Sequence, residues 1–320
     1  MSGRGPRPTR NELECYHHCM NRIAGSPGDY PFTEQDKEAG FEIACELTRY
    51  YLIEPISLIF LNNHFHFVLY VPSLADMPAD EAIAQRHNNQ DSGRKNKVRD
   101  DDEEECDKVR HNMRNISHFM RDFQQRFTRR FNAAHDRRGG LWADRFKNSI
   151  LQEGNALWDA VSYVELNPVR AGLVDDPTDY RFGTLGVFQQ EKSHPFKKYF
   201  ARHLRRWKGS IADGLSDKEM IRLFKKHLEE IIQEETKGEI IRRDQERADN
   251  NRPQRESEAL RFLTRTREWS HGLIIGTRAF IIETASRIFG TERAESKQLS
   301  RKVSFKDTVV HCFKRLRQDS

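Results

Sequence analysis

His64, Phe65 and His66 alternate inside an apolar run, and Tyr163 stands four residues before Asn167. On a strand, residues i and i+2 point to one face, so both imidazoles would share a side and Phe65 would take the other. Two imidazoles are a natural start to a divalent metal site. The same alternation also describes the polar face of an ordinary amphipathic sheet. On a helix, a four-residue spacing puts Tyr163 and Asn167 on one face. A phenol oxygen can attack an electrophile and an amide oxygen can ligate a metal, so the pair is chemically coherent. A core tyrosine and a helix-ending Asn before Pro168 explain the same letters. Cys15, His17, His18 and Cys19 also cluster, but Cys-x₃-Cys without a second pair is a poor zinc motif; both histidines are expected to be structural, the alternative being that one of them lines the site.

These side chains need elements to hold them. Cys15–Met20 reads as a short strand. Residues 33–51 carry apolar side chains at near-helical spacing after Thr33, a candidate cap. Ile56–Leu61 and Phe65–Val71 are apolar, β-rich runs separated by Asn62-Asn63, a hairpin turn. The opening order is therefore strand, helix, strand, strand. Residues 73–107 interrupt it with a polar segment ending in six consecutive acids, Asp100–Glu105, and this reads as an inserted loop. From Val109, apolar residues recur every three or four positions through Phe131, and arginines fill much of the remainder. Arg145–Gln152 reads as a further strand. Asn155–Leu166 reads as a helix stopped by Asn167-Pro168. Beyond 205, Ser216-x-x-Glu219 is a capping box opening a long charged helix to about Asp249. Helices are expected again at Glu256–Trp269 and Arg278–Phe289.

The chain has 320 residues, 36% hydrophobic and 32% charged, with net charge +5. Its charge is unevenly placed: Lys108–Ile150 holds eleven Lys/Arg against three acids, and Arg255–Ser320 fourteen against eight. Two basic stretches point to a polyanion, nucleic acid first, although a solvated basic helix face has the same composition. Five cysteines, an odd number, fit a reducing cytoplasm better than a disulfide scaffold. No apolar run is long enough for a membrane span, so no membrane partner is expected.

Taken in order, the blocks Asn63-His64-Phe65-His66, Gly140-Leu141-Trp142-Ala143-Asp144-Arg145-Phe146-Lys147, Tyr163-Val164-Glu165-Leu166-Asn167-Pro168-Val169-Arg170-Ala171-Gly172-Leu173-Val174 and Asp179-Tyr180 resemble the IS200/IS605-like tyrosine transposases of the HUH endonuclease superfamily, most closely the REP-associated tyrosine transposases. The resemblance covers roughly residues 14–190. It implies an α+β fold, a ferredoxin-like antiparallel sheet with flanking helices, and the strand-helix-strand-strand order agrees. It implies that His64 and His66 bind a metal, Mg²⁺ or Mn²⁺, with Asn167 as third ligand. It implies that Tyr163 is the nucleophile, which cuts single-stranded DNA near hairpins and leaves a 5′-phosphotyrosine. Arg145, Lys147, Arg121, Arg126 and Arg130 would then be backbone contacts, while Arg170 either contacts phosphate or closes the helix. Two other readings use the same residues: a hairpin-DNA-binding protein that no longer cuts, and a replication or conjugative nickase. The expected organisation is a flexible arm at 1–13, a catalytic domain at 14–200 and an α-helical C-terminal accessory domain at 205–320, acting as monomer or homodimer.

Overall fold

The computed structural model describes residues 14–25, 32–90, 97–248, 272–291, 300–305 and 308–314. The N-terminal arm and the helix expected at Glu256–Trp269 lie outside the described residues.

Strand β1 (Cys15–Arg22), helix α1 (Glu34–Leu47) and strands β2 (Glu54–Phe60) and β3 (His64–Val71) follow in the expected order. Thr33 starts α1 with a reciprocal cap: its hydroxyl accepts from the Asp36 N–H, and the Asp36 carboxylate accepts from the Thr33 N–H at 2.8 Å. Helices α2 (Asp80–Gln90), α3 (Glu103–Met113) and α4 (Ile116–Ala134) lead to strand β4 (Lys147–Leu151). β3 pairs antiparallel with β2 and β1, and β1 pairs antiparallel with β4, giving the ferredoxin-like order β2-β3-β1-β4.

After β4 come helices α5 (Asn155–Glu165), α6 (Asn167–Arg170), α7 (Thr184–Gln190), α8 (Pro195–Lys208) and α9 (Asp217–Ala248). The Ser216–Glu219 capping box is present, and Met220, Phe224, Leu228 and Ile231 form the buried stripe of α9. The sheet has helices on both sides. Phe119 and Phe123 of α4 meet Phe67, and Phe123 also meets Phe65, on one face. On the other, α5 meets His66 through Tyr163 and α8 meets Tyr70 through His203.

Three expectations need correction. The polar insert is not a simple loop. Ile83, Ala84, Val98, Cys106, Val109 and Met113 make a small core between α2 and α3. The acidic run works as a helix start: Asp102 caps α3 and Glu103–Glu105 fill its first turn, where negative charge meets the positive end of the helix dipole. The C-terminal region is not wholly helical. Strands β5 (Gly272–Gly276), β6 (Ser300–Phe305) and β7 (Thr308–Lys314) accompany helix α10 (Arg278–Phe289). β5 pairs in parallel with β4, so one seven-stranded sheet runs β2-β3-β1-β4-β5-β7-β6. Ile274 and Ile150 pair across that junction and both are fully buried. The three apolar residues between Gly272 and Gly276 have no period that marks a strand until a partner strand edge is supplied.

The periodic run from Val109 is also two helices. Asn115 interrupts it because its side chain accepts from Ser117 N–H and His118 N–H, capping α4. Among the described residues, no helix is long and apolar enough to cross a membrane.

Phe123 touches Phe60, Phe65, Phe67 and Phe127 and is fully buried. Phe123→Ala should cost about 3–5 kcal/mol, read as a lower urea midpoint at unchanged slope.

Candidate active site

The pleat of β3 sends His64, His66, Val68 and Tyr70 to one face and Phe65 to the other, where it is fully buried against Phe123 and Trp142. The two imidazole centroids lie 5.2 Å apart with perpendicular rings. His64 Nδ1 is 2.8 Å from Asn63 Oδ1. A carbonyl oxygen only accepts, so this Nδ1 carries the proton and Nε2 keeps its lone pair. His66 Nδ1 is 2.9 Å from His18 Nε2, and the two rings stack. Donation from His66 Nδ1 to His18 leaves the His66 Nε2 lone pair available as well. Burial, then the neighbouring Arg22, lowers the pKa of His64 to about 4. Burial, then His18 and His64, lowers that of His66 well below the usual imidazole value. Both rings are therefore neutral at ordinary pH, as a metal ligand must be.

Helix α5 starts at Gly154, whose φ of 92° suits glycine. It is buried from Ala156 to Glu165. It is apolar nearly all round because it is sandwiched, with Trp158 against Phe200 of α8 and Phe224 of α9 and Tyr163 against the sheet. The Tyr163 ring lies 5.6 Å from His66 and 6.1 Å from His18, edge-on to both. Tyr163 is only 2% exposed. Asn167 is half-buried, and its Nδ2 donates to the Tyr163 carbonyl at 2.8 Å and the Val164 carbonyl at 3.3 Å. It closes α5 and leaves its Oδ1 as the only group that could meet a cation. Arg170 also closes the helix, donating to the Tyr163 carbonyl at 3.4 Å. Its guanidinium lies 5.8 Å over the Tyr163 ring and pairs with Glu235 of α9 at 2.9 Å.

Strand register adds Arg22, which sequence reasoning missed, and places Lys147, which it named. Arg22 pairs with His64, and Met20 pairs with both His66 and Lys147. Paired residues share a face, so Arg22 and Lys147 flank the two histidines on the tyrosine side. Burial and the charge of Arg22 lower the Lys147 pKa. His18 follows the alternative reading, in which one of the two histidines lines the site: it is the buried partner of His66; the alternation His18, Met20, Arg22 was the available signal, and it becomes specific only once β1 is known to neighbour β3. His17 falls on the opposite face and bonds Asn148 Oδ1 at 2.9 Å, which separates the two histidines of the apparent Cys/His cluster.

The loop before β4 carries the exposed Arg145 beside this end of the sheet: Asn21 Nδ2 donates to the Asp144 carbonyl at 2.9 Å and Ala143 N–H to the Arg22 carbonyl at 3.0 Å. Trp142 anchors the loop by packing on Phe32, Phe65 and Phe127. Arg121, Arg126 and Arg130 are placed elsewhere. They lie on α4, across the sheet from Tyr163, and pair with Asp122, Glu46 and Glu42 respectively. Arg126 and Arg130 thus meet acids of α1 and Arg121 its own neighbour on α4, on the side of the sheet away from the histidine–tyrosine face.

No family model and no curated protein matches this chain. Among solved structures, the chain is similar to a REP-associated tyrosine transposase bound to a REP hairpin: 14% identity, 61% of this chain and 90% of that chain covered, and a TM-score of 0.39. A superposition this loose leaves the fold assignment to the strand order.

Glu165, two residues beyond Tyr163, is fully enclosed, accepting from Ser57 Oγ at 2.6 Å and from Leu185 N–H at 3.3 Å. Burial raises its pKa from 4.5 to about 7. A raised folded-state pKa gives stability that is present below the unfolded value and lost as pH rises through the folded one. The thermal midpoint should therefore fall as pH climbs from 4.5 through about 7, and Glu165→Gln should flatten that slope.

Proposed function

We propose that this chain is a metal-dependent, single-stranded DNA endonuclease and strand transferase of the tyrosine-transposase type, acting beside hairpins, as monomer or homodimer. The observation that carries the reading is the Tyr163 ring edge-on to His66, which shares its strand face with His64. The ordered sequence motifs support it, since the same three residues are those the resemblance assigns to chemistry.

The donor set suits a divalent ion. His64 and His66 would hold Mg²⁺ or Mn²⁺ through their Nε2 lone pairs, with the Asn167 Oδ1 as third protein ligand. Such an ion, when bound, acts as a Lewis acid on a phosphate oxygen. The chain's own residues do the rest. His18 and Asn63 fix the tautomers of the two imidazoles, the way outer partners orient metal-ligating histidines. Arg22 and Lys147 offer positive charge to the strand backbone on the same face, and Arg145 extends that charge along the adjoining loop. The Tyr163 oxygen loses its proton and forms a bond to phosphorus as the bond from phosphorus to the 3′ oxygen breaks, and the departing 3′ oxygen takes up a proton. The result is a 5′-phosphotyrosine and a free 3′-hydroxyl. That hydroxyl, or another, can reverse the step without ATP because the phosphodiester energy is kept.

A second reading, hairpin binding without cutting, is favoured by one observation: the 2% exposure of Tyr163. Cutting requires a strand to reach that phenol past Arg170 and α9. Incubation with hairpin-bearing single strands and Mn²⁺ should give a covalent protein–DNA adduct that EDTA abolishes and Tyr163→Phe lacks. An adduct from Tyr163→Phe, or one indifferent to EDTA, refutes the mechanism. Tight hairpin binding with no adduct from any substrate in a sequence library supports the second reading.

His18 is a positioning residue in this scheme. His18→Ala should weaken Mn²⁺ binding by about 10–100-fold, read by the paramagnetic signal of free Mn²⁺. His18→Gln, which keeps an acceptor near His66 Nδ1, should restore much of it. Equal binding by wild type and His18→Ala argues against the role.

A further inference from the structure

The part of the chain beyond the motif blocks builds a second basic surface. α7, the segment leading into α8, and the first two turns of α9 enclose a cavity of about 1260 Å³. That exceeds the roughly 300–1,000 Å³ of ordinary small-molecule pockets, which points to a polymer. Its walls carry Lys192, Lys197, Lys198, Lys218, Arg222 and Lys225 against only two acids, Glu191 and Asp217. One acid is already neutralised, because Asp217 pairs with Arg205 at 2.6 Å. Lys225 is held by Asp176 at 2.8 Å, and Lys197 by the Glu191 and Lys192 carbonyls. Among the described residues, no ion pair engages the exposed Lys192, Lys218 or Arg222. Pro195 and Asp217, the first residues of α8 and α9, both line the cavity, so the positive ends of two helix dipoles open on it.

The floor is apolar, with Leu185, Phe188 and Ile221. Phe188 is only 7% exposed and engaged with Phe200 and His194. The cavity therefore offers charge for a backbone but no open aromatic platform for reading bases. It is also coupled to the tyrosine helix. The backbone N–H of Leu185, on the cavity wall, donates to Glu165, two residues from Tyr163.

We propose that this groove binds the phosphodiester backbone of an unpaired DNA strand running on from the tyrosine site, without regard to sequence. The proposal rests on the single-strand reading above, and it assigns a DNA-holding role to the N-terminal part of α9.

The test uses the full chain carrying Tyr163→Phe, in EDTA, so that binding is read without cutting. Anisotropy of labelled oligo(dT) is followed as salt rises. The combined variant Lys192→Glu, Lys218→Glu and Arg222→Glu should bind at least about tenfold more weakly at low salt, and its salt slope should fall by about two, from ~0.7 per lost phosphate contact. The corresponding Lys→Arg variant should bind as the parent does, and the charge-reversed chain should keep its melting temperature. Unchanged affinity and slope overturn the proposal. Displacement of the oligonucleotide by poly-glutamate at equal charge also overturns it, assigning the groove to an acidic protein partner. In the Tyr163 background, an adduct that forms while the groove variant binds oligo(dT) normally refutes the groove alone. Groove-dependent binding with no adduct refutes the cutting mechanism alone.

Discussion

On β3, one polypeptide stripe must serve two environments that differ in every physical respect. Phe65 and Phe67 point with no exposure into aromatic rings from α4, while His64 and His66 share the opposite face, where Tyr163 of α5 meets His66. A shift of one residue in register would exchange the two sets, placing phenylalanines against Tyr163 and imidazoles in the aromatic core. Burying an unpartnered imidazole there would cost several kcal/mol, on the order of 2–7. The size of the phenylalanine core is therefore what fixes the orientation of the histidines, and every contact made by Tyr163, His18 and Arg22 depends on that orientation.

Much of this is legible in the amino-acid sequence. Alternation at His64–His66, the Thr33 and Ser216 caps and the four-residue step from Tyr163 to Asn167 are local patterns, and each corresponds to the local element it implies. What was not legible was non-local. Nothing in the letters of Arg22 or His18 says that β1 lies between β3 and β4, and only that neighbourhood makes them part of the site. The acids at Asp100–Glu105 read as solvated loop because their composition is polar; Cys106, Val109 and Met113, which follow at helical spacing, bury a face against α2 and turn those acids into a helix start. β5 is similarly ambiguous, since three apolar residues between two glycines have no period of their own until the edge of β4 supplies one.

Charge distribution shows why composition is a weak guide to a binding face. The richest basic segment in the sequence contains both Lys147, beside the histidines, and Arg126 and Arg130, across the sheet. The latter two are matched by Glu46 and Glu42 on α1, so their charge is largely spent within the fold. Exposed pairs of this kind contribute little stability, roughly 0–1 kcal/mol each, yet they cancel the field an anion would feel. The arginines of α8 are matched in the same way, Arg202 by Glu54 and Arg205 by Asp217; the exposed Lys192, Lys218 and Arg222 engage no ion pair among the described residues.

The parallel junction between β4 and β5 has a consequence for how the chain is made. Ile150 finds its partner at Ile274, so the strand that forms one border of the histidine–tyrosine layer keeps an open edge until most of the chain has been synthesised. Pairings between such distant segments form late and slowly, because a long loop must close before any contact rewards it. During that interval the β4 edge can pair with another strand. The nascent protein therefore has a period in which the β1–β4 half of the sheet is shaped but its β4 edge is unsealed, and β5 acts as its folding stopper.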